Sequence, residues 1–184
     1  MGMPTPLPTY YSLHEVLALP DTGERRELVY GELLVSPSPT SRHQKIAARL
    51  FRIVADYCER VGAGDAYFSP ADLSWGRNDV LAQPDVFVVA PEDVGFREWA
   101  EVRHLALAAE IGSPSTIRND RFSKRKVYQD MGVSVYWVLD PDLATVDVWT
   151  PVAHFPTVER ERLTWRPRQA SASLVIELAS LFGA

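Results

Sequence analysis

Two short apolar runs, Pro84–Ala90 (PDVFVVA) and Leu105–Ile111 (LALAAEI), constrain this chain more than any other feature in it. Unbroken apolar stretches of this length suit strands buried on both faces. Each run nevertheless carries one acid, Asp85 and Glu110. An isolated carboxylate in apolar surroundings costs several kcal/mol unless it is paired, protonated or bound to a cation. Asp85 opens its strand and Glu110 lies near the end of the next, so an antiparallel pairing would bring both acids to one end of a sheet. Alternation puts Ala106 and Ala108 on the Glu110 face, small neighbours that leave room for an ion or a substrate. On the residues alone, two strand-end acids turned to solvent, or paired with Arg103 or Arg118, fit equally well.

The rest of the chain supplies the frame. Ser12–Leu19 reads as a short helix ended by Pro20. Arg26–Val29 and Glu32–Ser36 read as strands joined at Tyr30-Gly31. From Ser41 to Val61 the residues Ile46, Leu50, Ile53, Val54, Tyr57 and Val61 recur at helical spacing, with Gly62 and Gly64 after them as a stop. Ala66–Ser74 reads as a weak strand. Arg118–Met131 is compatible with a helix, and Val133–Leu139 is a buried strand. Ala144–Thr150 and Glu161–Trp165 add strands, and Leu174–Phe182 is a strand or a short helix. This order predicts an α/β fold: a mixed central sheet, built as an antiparallel meander followed by β-α-β, with helices on its faces. The chain reads as a single domain over residues 1–184, with residues 1–9 as a disordered tail.

Charge and motifs narrow the function. With 19 Lys+Arg against 24 Asp+Glu, a formal charge of -5, the chain lacks the basic footprint of a protein that coats nucleic acid. Two local basic clusters remain, Arg42, His43, Lys45, Arg49 and Arg52 in one, Arg118, Arg121, Lys124, Arg125 and Lys126 in the other. Each reads equally as a solvated helix face. The lone Cys58 permits no internal disulfide and suits a reducing cytoplasm. No apolar run approaches the length of a membrane span, and the first residues lack the basic and apolar regions of a signal peptide, so the expectation is a cytoplasmic protein without a membrane partner. There is no G-x-S-x-G, P-loop, G-x-G-x-x-G or H-x-x-x-H. Asp120, Lys124 and Tyr128 recur every four residues on one helix face, where Asp120 and Lys124 taken alone are a surface pair worth about 0.5 kcal/mol.

Six blocks in one order carry a resemblance: ELVYGEL (Glu27–Leu33), SRHQ (Ser41–Gln44), QPDVFVV (Gln83–Val89), AEIGSPST (Ala109–Thr116), DRFSKRKVYQDMGV (Asp120–Val133) and YWVLDP (Tyr136–Pro141). Together they resemble the Uma-type endonuclease family, a bacterial branch of the PD-(D/E)XK, or restriction-endonuclease-like, superfamily. The resemblance implies a single nuclease-like domain in which Asp85 is the acid of the PD motif and Glu110 the first acid of the second motif. The superfamily's usual lysine two places later is here Gly112; in the Uma-type family it lies in the following helix, where Lys124 matches. Glu32, in the Gly-Glu block, matches an additional metal ligand. Glu27 and His43 match positions that are as readily structural as functional, and with Asp120 and Tyr128 they form a second tier. Val135 departs from the Glu that members commonly carry before Tyr-Trp.

The chemistry so implied is phosphodiester hydrolysis of nucleic acid, DNA first, by catalytic residues Asp85, Glu110, Lys124 and Glu32. Mg²⁺, or Mn²⁺ as substitute, would be held by Asp85, Glu110 and the Ile111 carbonyl, with Glu32 beside them. Arg42, Lys45, Arg118 and Arg121 would contact phosphates, and a homodimer follows by analogy with nucleases that pair to cut both strands. Two rivals remain. The carboxylates alone also fit a glycosidase pair, which leaves Lys124 idle. A catalytically idle module could keep the fold to bind nucleic acid or a protein.

Overall fold

The structure, a computed structural model, describes residues 10–168 and 170–183; the tail expected over residues 1–9 lies outside them. A capping box closes on Ser12 and Glu15 and starts α1 (Leu13–Leu17). Strands β1 (Arg25–Val29) and β2 (Glu32–Ser36) follow as a hairpin. Its tight turn places both Tyr30 and Gly31 at positive φ, the geometry that matches the twist of paired strands. Helix α2 spans Ser41–Val61, capped by the Thr40 hydroxyl at its start and by left-handed Gly62 at its end, and it buries Ile46, Leu50, Val54, Tyr57 and Cys58.

The chain continues through β3 (Asp65–Phe68), β4 (Val80–Leu81), β5 (Val86–Val89) and β6 (Leu105–Ile111). A helical segment comes next: α3 (Ile117–Asn119), one wide π turn (Asp120–Lys124) and α4 (Arg125–Asp130). Then come β7 (Tyr136–Asp140), β8 (Thr145–Trp149), β9 (Thr157–Glu159), β10 (Arg162–Trp165), β11 (Leu174–Glu177) and α5 (Leu178–Phe182). The segment Leu174–Phe182 is thus strand and then helix. The predicted strand Ala66–Ser74 stops at Phe68, just before Pro70, whose missing N–H cannot continue a ladder.

The fold is α/β with a mixed central sheet of six strands, ordered β3-β5-β6-β7-β8-β9. The β6–β7 pair is parallel, bridged by the α3–α4 segment; its neighbours are antiparallel. On one face α2 packs Ile46, Leu50, Val54 and Tyr57 onto Val86, Val88, Leu107 and Ala109, and the β10–β11 hairpin with α5 completes that layer. On the other, Tyr128 of α4 packs with Phe87, Ala108, Tyr136 and Val138 of the sheet.

Two expectations are corrected. The β1–β2 hairpin does not join the central sheet: it pairs with β4 in a separate sheet, β2-β1-β4, that packs Leu28 and Leu81 against Val16 of α1 and Val29 and Val80 against Val127 of α4. The Ala106 and Ala108 alternation also fails, because β6 carries an extra residue between Leu105 and Leu107. Ala106 joins the α2 core instead, and Tyr128 fills the space beside Ala108. Since Leu50 is fully buried, Leu50→Ala should cost about 2–5 kcal/mol in denaturant melts; a loss under about half a kcal/mol would mean that another face of α2 carries the packing.

Candidate active site

The β5–β6 register, Val86↔Ala109, sets Asp85 beside the end of β6, where Asp85 Oδ2 accepts the Ile111 N–H at 2.7 Å. The two acids therefore share one sheet end, as the strand reading required. Glu110 Oε1 accepts the Tyr128 hydroxyl at 2.8 Å and lies 3.3 Å from Lys124 Nζ. Lys124 Nζ is also 2.6 Å from Glu27 Oε2 and 3.2 Å from Asp120 Oδ1. Glu27 comes from β1, the central strand of the small sheet, and its Oε1 accepts the Gln83 N–H at 2.9 Å. From the opposite side, at the first turn of α2, His43 Nε2 lies 3.1 Å from Asp85 Oδ2. Four buried carboxylates, Glu27, Asp85, Glu110 and Asp120, thus converge from four segments of the chain.

A residue that the sequence did not single out completes the set. Arg25 directs Nη1 at Asp85 Oδ1 (2.7 Å), Nη2 at Glu110 Oε2 (3.1 Å) and Nε at Glu27 Oε2 (3.3 Å), and donates to the Gln83 carbonyl. Arg25 and Glu27 stand two apart on one strand and so share a face. That spacing, a basic and an acidic residue two apart on one hairpin strand ahead of the apolar Leu28 and Val29, is the available signal.

The π turn explains why Lys124 faces inward. The Arg125 N–H reaches back five residues to the Asp120 carbonyl, which also accepts the Tyr136 hydroxyl at 3.0 Å. The widened turn keeps Asp120 and Lys124 both buried against the acids, a distortion found frequently at functional sites. The surface-pair reading of Asp120 and Lys124 is therefore replaced by a buried cluster. Gly112 stands at the superfamily's usual lysine place in a tight spot: a Cβ there would come within 2.2 Å of the Ile117 side-chain tip, which would have to shift, and 3.2 Å of the Leu139 carbonyl.

Electrostatics separate the two principal acids. Burial works to raise Asp85, but the His43 imidazole, the Arg25 charge and the Ile111 N–H outweigh it and hold the carboxyl at about 2. Burial raises Glu110 well above the usual carboxylate range despite Lys124 and Arg25, and the charges of Glu27 and Asp85 add to the rise. Lys124 loses from burial yet stays protonated, because Glu110, Glu27 and Asp120 surround it. Among the described residues no three His, Cys, Asp or Glu side chains converge as a ready metal cage. The donor chemistry nevertheless fits Mg²⁺, which takes one or two carboxylates and keeps its waters. The point between Asp85 and Glu110 already attracts a cation in the form of Arg25.

Of the expected residues, Asp85, Glu110, Lys124, Glu27, His43, Asp120 and Tyr128 meet here. Glu32 does not, which corrects its assignment. It pairs with Val29 on the edge strand β2, two cross-strand pairs beyond Glu27 towards the turn, and is exposed. Glu27 occupies the place beside Lys124 instead. Two of the four proposed phosphate contacts are otherwise engaged: Arg42 pairs with Asp142 at 2.8 Å, and Arg121 with Asp147 at 2.7 Å and Asp140 at 3.1 Å. Lys45 and Arg118 are exposed.

Residues 13–177 match the Uma2 family, described as "Putative restriction endonuclease". The chain belongs to that family. A crystal structure from Anabaena variabilis ATCC 29413, described as "a putative nuclease belonging to DUF820", superposes with a TM-score of 0.76 at 24% identity, covering 93% of this chain and 97% of that one. At this identity the likeness shows the fold alone. No curated protein matches the chain. Uma2 membership supports a nuclease function, and nucleases of the restriction-endonuclease-like kind generally use divalent metal ions.

In this Uma2 protein the Asp85 environment has a consequence for stability. Its folded value, about 2, lies below its ordinary 3.8, so its contribution is present above pH ~4 and is lost as pH falls through about 2. Between pH ~5 and ~2 wild type should lose about 2 kcal/mol more than Asp85→Asn in urea titrations; parallel losses would mean that the ionised carboxylate is not held as described.

Proposed function

We propose that this chain is a metal-dependent nuclease that hydrolyses phosphodiester bonds of nucleic acid, DNA first, with Mg²⁺ as its ion and Mn²⁺ as a substitute. The observation that carries this reading is the meeting of Asp85 and Glu110 at one sheet end, with Lys124 3.3 Å from Glu110. Asp85 and Glu110 would hold the ion. The Ile111 carbonyl would be a third ligand, since its N–H faces Asp85 and the N–H and C=O of one strand residue face the same neighbour. A divalent cation bound there supplies charge neutralisation at phosphorus and a more acidic water.

The chain's own groups do the rest. His43 and Tyr128 hold Asp85 and Glu110 in orientation through their hydrogen bonds. The Lys124 ammonium, fixed by three carboxylates, stabilises the negative charge that grows on the phosphoryl oxygens.

A cleft of about 1190 Å³ opens on these residues. Its far wall carries Phe68, 58% exposed, whose ring lies 4.7 Å from that of Phe51 in an edge-on arrangement. Phe51 is two turns along α2 from His43, roughly 12 Å. A polar end that suits a phosphate and an aromatic wall that suits a base favour a nucleotide strand over a sugar. Lys45 and Arg118 remain as phosphate contacts, and a homodimer would bring two such sites to one duplex. One observation favours the idle-module reading: Arg25 already neutralises both acids.

A cleavage assay decides between the two. Because Lys124 is buried among acids, its replacement costs stability, about 3–5 kcal/mol if nothing compensates, so the volume-conserving Lys124→Met is the informative variant. With its folding verified by circular dichroism, it should cleave plasmid or single-stranded DNA roughly 10²–10³-fold more slowly than wild type in Mg²⁺ under single-turnover conditions. Lys126→Ala, on the exposed side in a pair with Asp130, should stay active. Equal rates for Lys124→Met and wild type would remove the lysine from the chemistry, and absence of cleavage by wild type with any divalent ion on DNA or RNA would favour the idle module.

A further inference from the structure

We infer that Arg25 is the resident cation of the acid site and changes places with the divalent ion, its guanidinium passing from Asp85 and Glu110 to a phosphate of the substrate. The inference rests on the metal site proposed above and concerns a residue to which that reading gives no part.

The oxygens themselves lead to it. Asp85 Oδ2 is taken by the Ile111 N–H and by His43, and Glu110 Oε1 by the Tyr128 hydroxyl and Lys124. An ion shared by the two acids is left with Asp85 Oδ1 and Glu110 Oε2. Arg25 holds both, at 2.7 and 3.1 Å. An Mg²⁺ bound about 2.1 Å from those oxygens would lie within contact distance of the guanidinium nitrogens and carry the same sign of charge. The two cations therefore exclude each other.

Arg25 also has somewhere to go. Its side chain is 21% exposed and lines the cleft, whereas that of Lys124 is 6% exposed and boxed in by three carboxylates. Rotation about its long stem carries the guanidinium into the cleft that a substrate strand would occupy, where its planar fork matches a phosphate bidentately. The same charge that protects the acids from mutual repulsion in the ion-free protein then becomes a phosphate ligand in the loaded one.

Calorimetric titration with Mg²⁺ or Mn²⁺ alone, without nucleic acid, tests the exchange. Arg25→Gln, which removes the charge and keeps a polar stem, should bind the ion about tenfold or more tightly than wild type. Equal or weaker binding by Arg25→Gln, beside measurable binding by wild type, would overturn the exchange and leave the metal site standing. If neither protein binds, the metal site falls and the exchange with it. Should Arg25→Gln fail to fold, wild type decides alone: the ¹⁵N-labelled Arg25 Nε–H resonance should shift as Mn²⁺-free Mg²⁺ is added and saturate with the calorimetric isotherm. A resonance that stays in place while the ion binds would overturn the inference.

Discussion

Four carboxylates buried at one sheet end cannot stay charged together without cations among them, and this requirement organises the site. Glu27, Asp85, Glu110 and Asp120 repel one another in a setting that screens poorly. Lys124 and Arg25 answer that repulsion together, Lys124 at Glu27, Glu110 and Asp120 and Arg25 at Glu27, Asp85 and Glu110. Burial sets the two apart: the Lys124 side chain is 6% exposed and enclosed by three carboxylates, while that of Arg25 is 21% exposed and lines the cleft, which is where the proposed exchange would take it. What remains of the strain appears in Glu110, which burial pushes towards its protonated form.

Each part of the fold has a share in holding that arrangement. The antiparallel β5–β6 pair brings Asp85 to the end of the strand that carries Glu110. The parallel β6–β7 crossover sends the chain through a helical segment directly above Glu110, and the π turn within it points Lys124 back at the acids. The hairpin sheet, apart from the central one, adds Glu27 and Arg25 from the side, and α2 adds His43 from the other face. Gly112 lets the chain leave β6 between Ile117 and Leu139. With the lysine on the helix rather than at that crowded place, its charge is still 3.3 Å from Glu110.

Much of this was legible in the sequence, because the period of apolar residues reports burial directly. The apolar stripe of α2 marks its bounds, Ser41–Val61, and two apolar runs that each tolerate one acid make the meeting of Asp85 and Glu110 one of two equal readings, which the β5–β6 register settles. Other features lay in long-range contacts that no local pattern encodes. Nothing near Glu32 says that it lies on an edge strand; that is decided by β4, a two-residue strand some fifty residues away, which makes β1 the central strand. The extra residue at Ala106 changed the face on which alternation placed it. Arginine at the start of a hairpin strand is ordinarily solvated, so nothing local marks Arg25, and the partners that take Arg121 away from phosphates, Asp140 and Asp147, belong to later strands.

The central claim is that the acids of this site exist to hold a cation, and that a metal ion can take the place of Arg25. Anomalous diffraction from crystals grown with Mn²⁺ addresses it directly. The account expects one strong peak between the Asp85 and Glu110 carboxylates, about 2.1–2.3 Å from Asp85 Oδ1 and Glu110 Oε2, with the Arg25 guanidinium withdrawn into the cleft. Full binding of Mn²⁺ elsewhere, or density that still shows Arg25 bridging both acids in a crystal saturated with the ion, would contradict it.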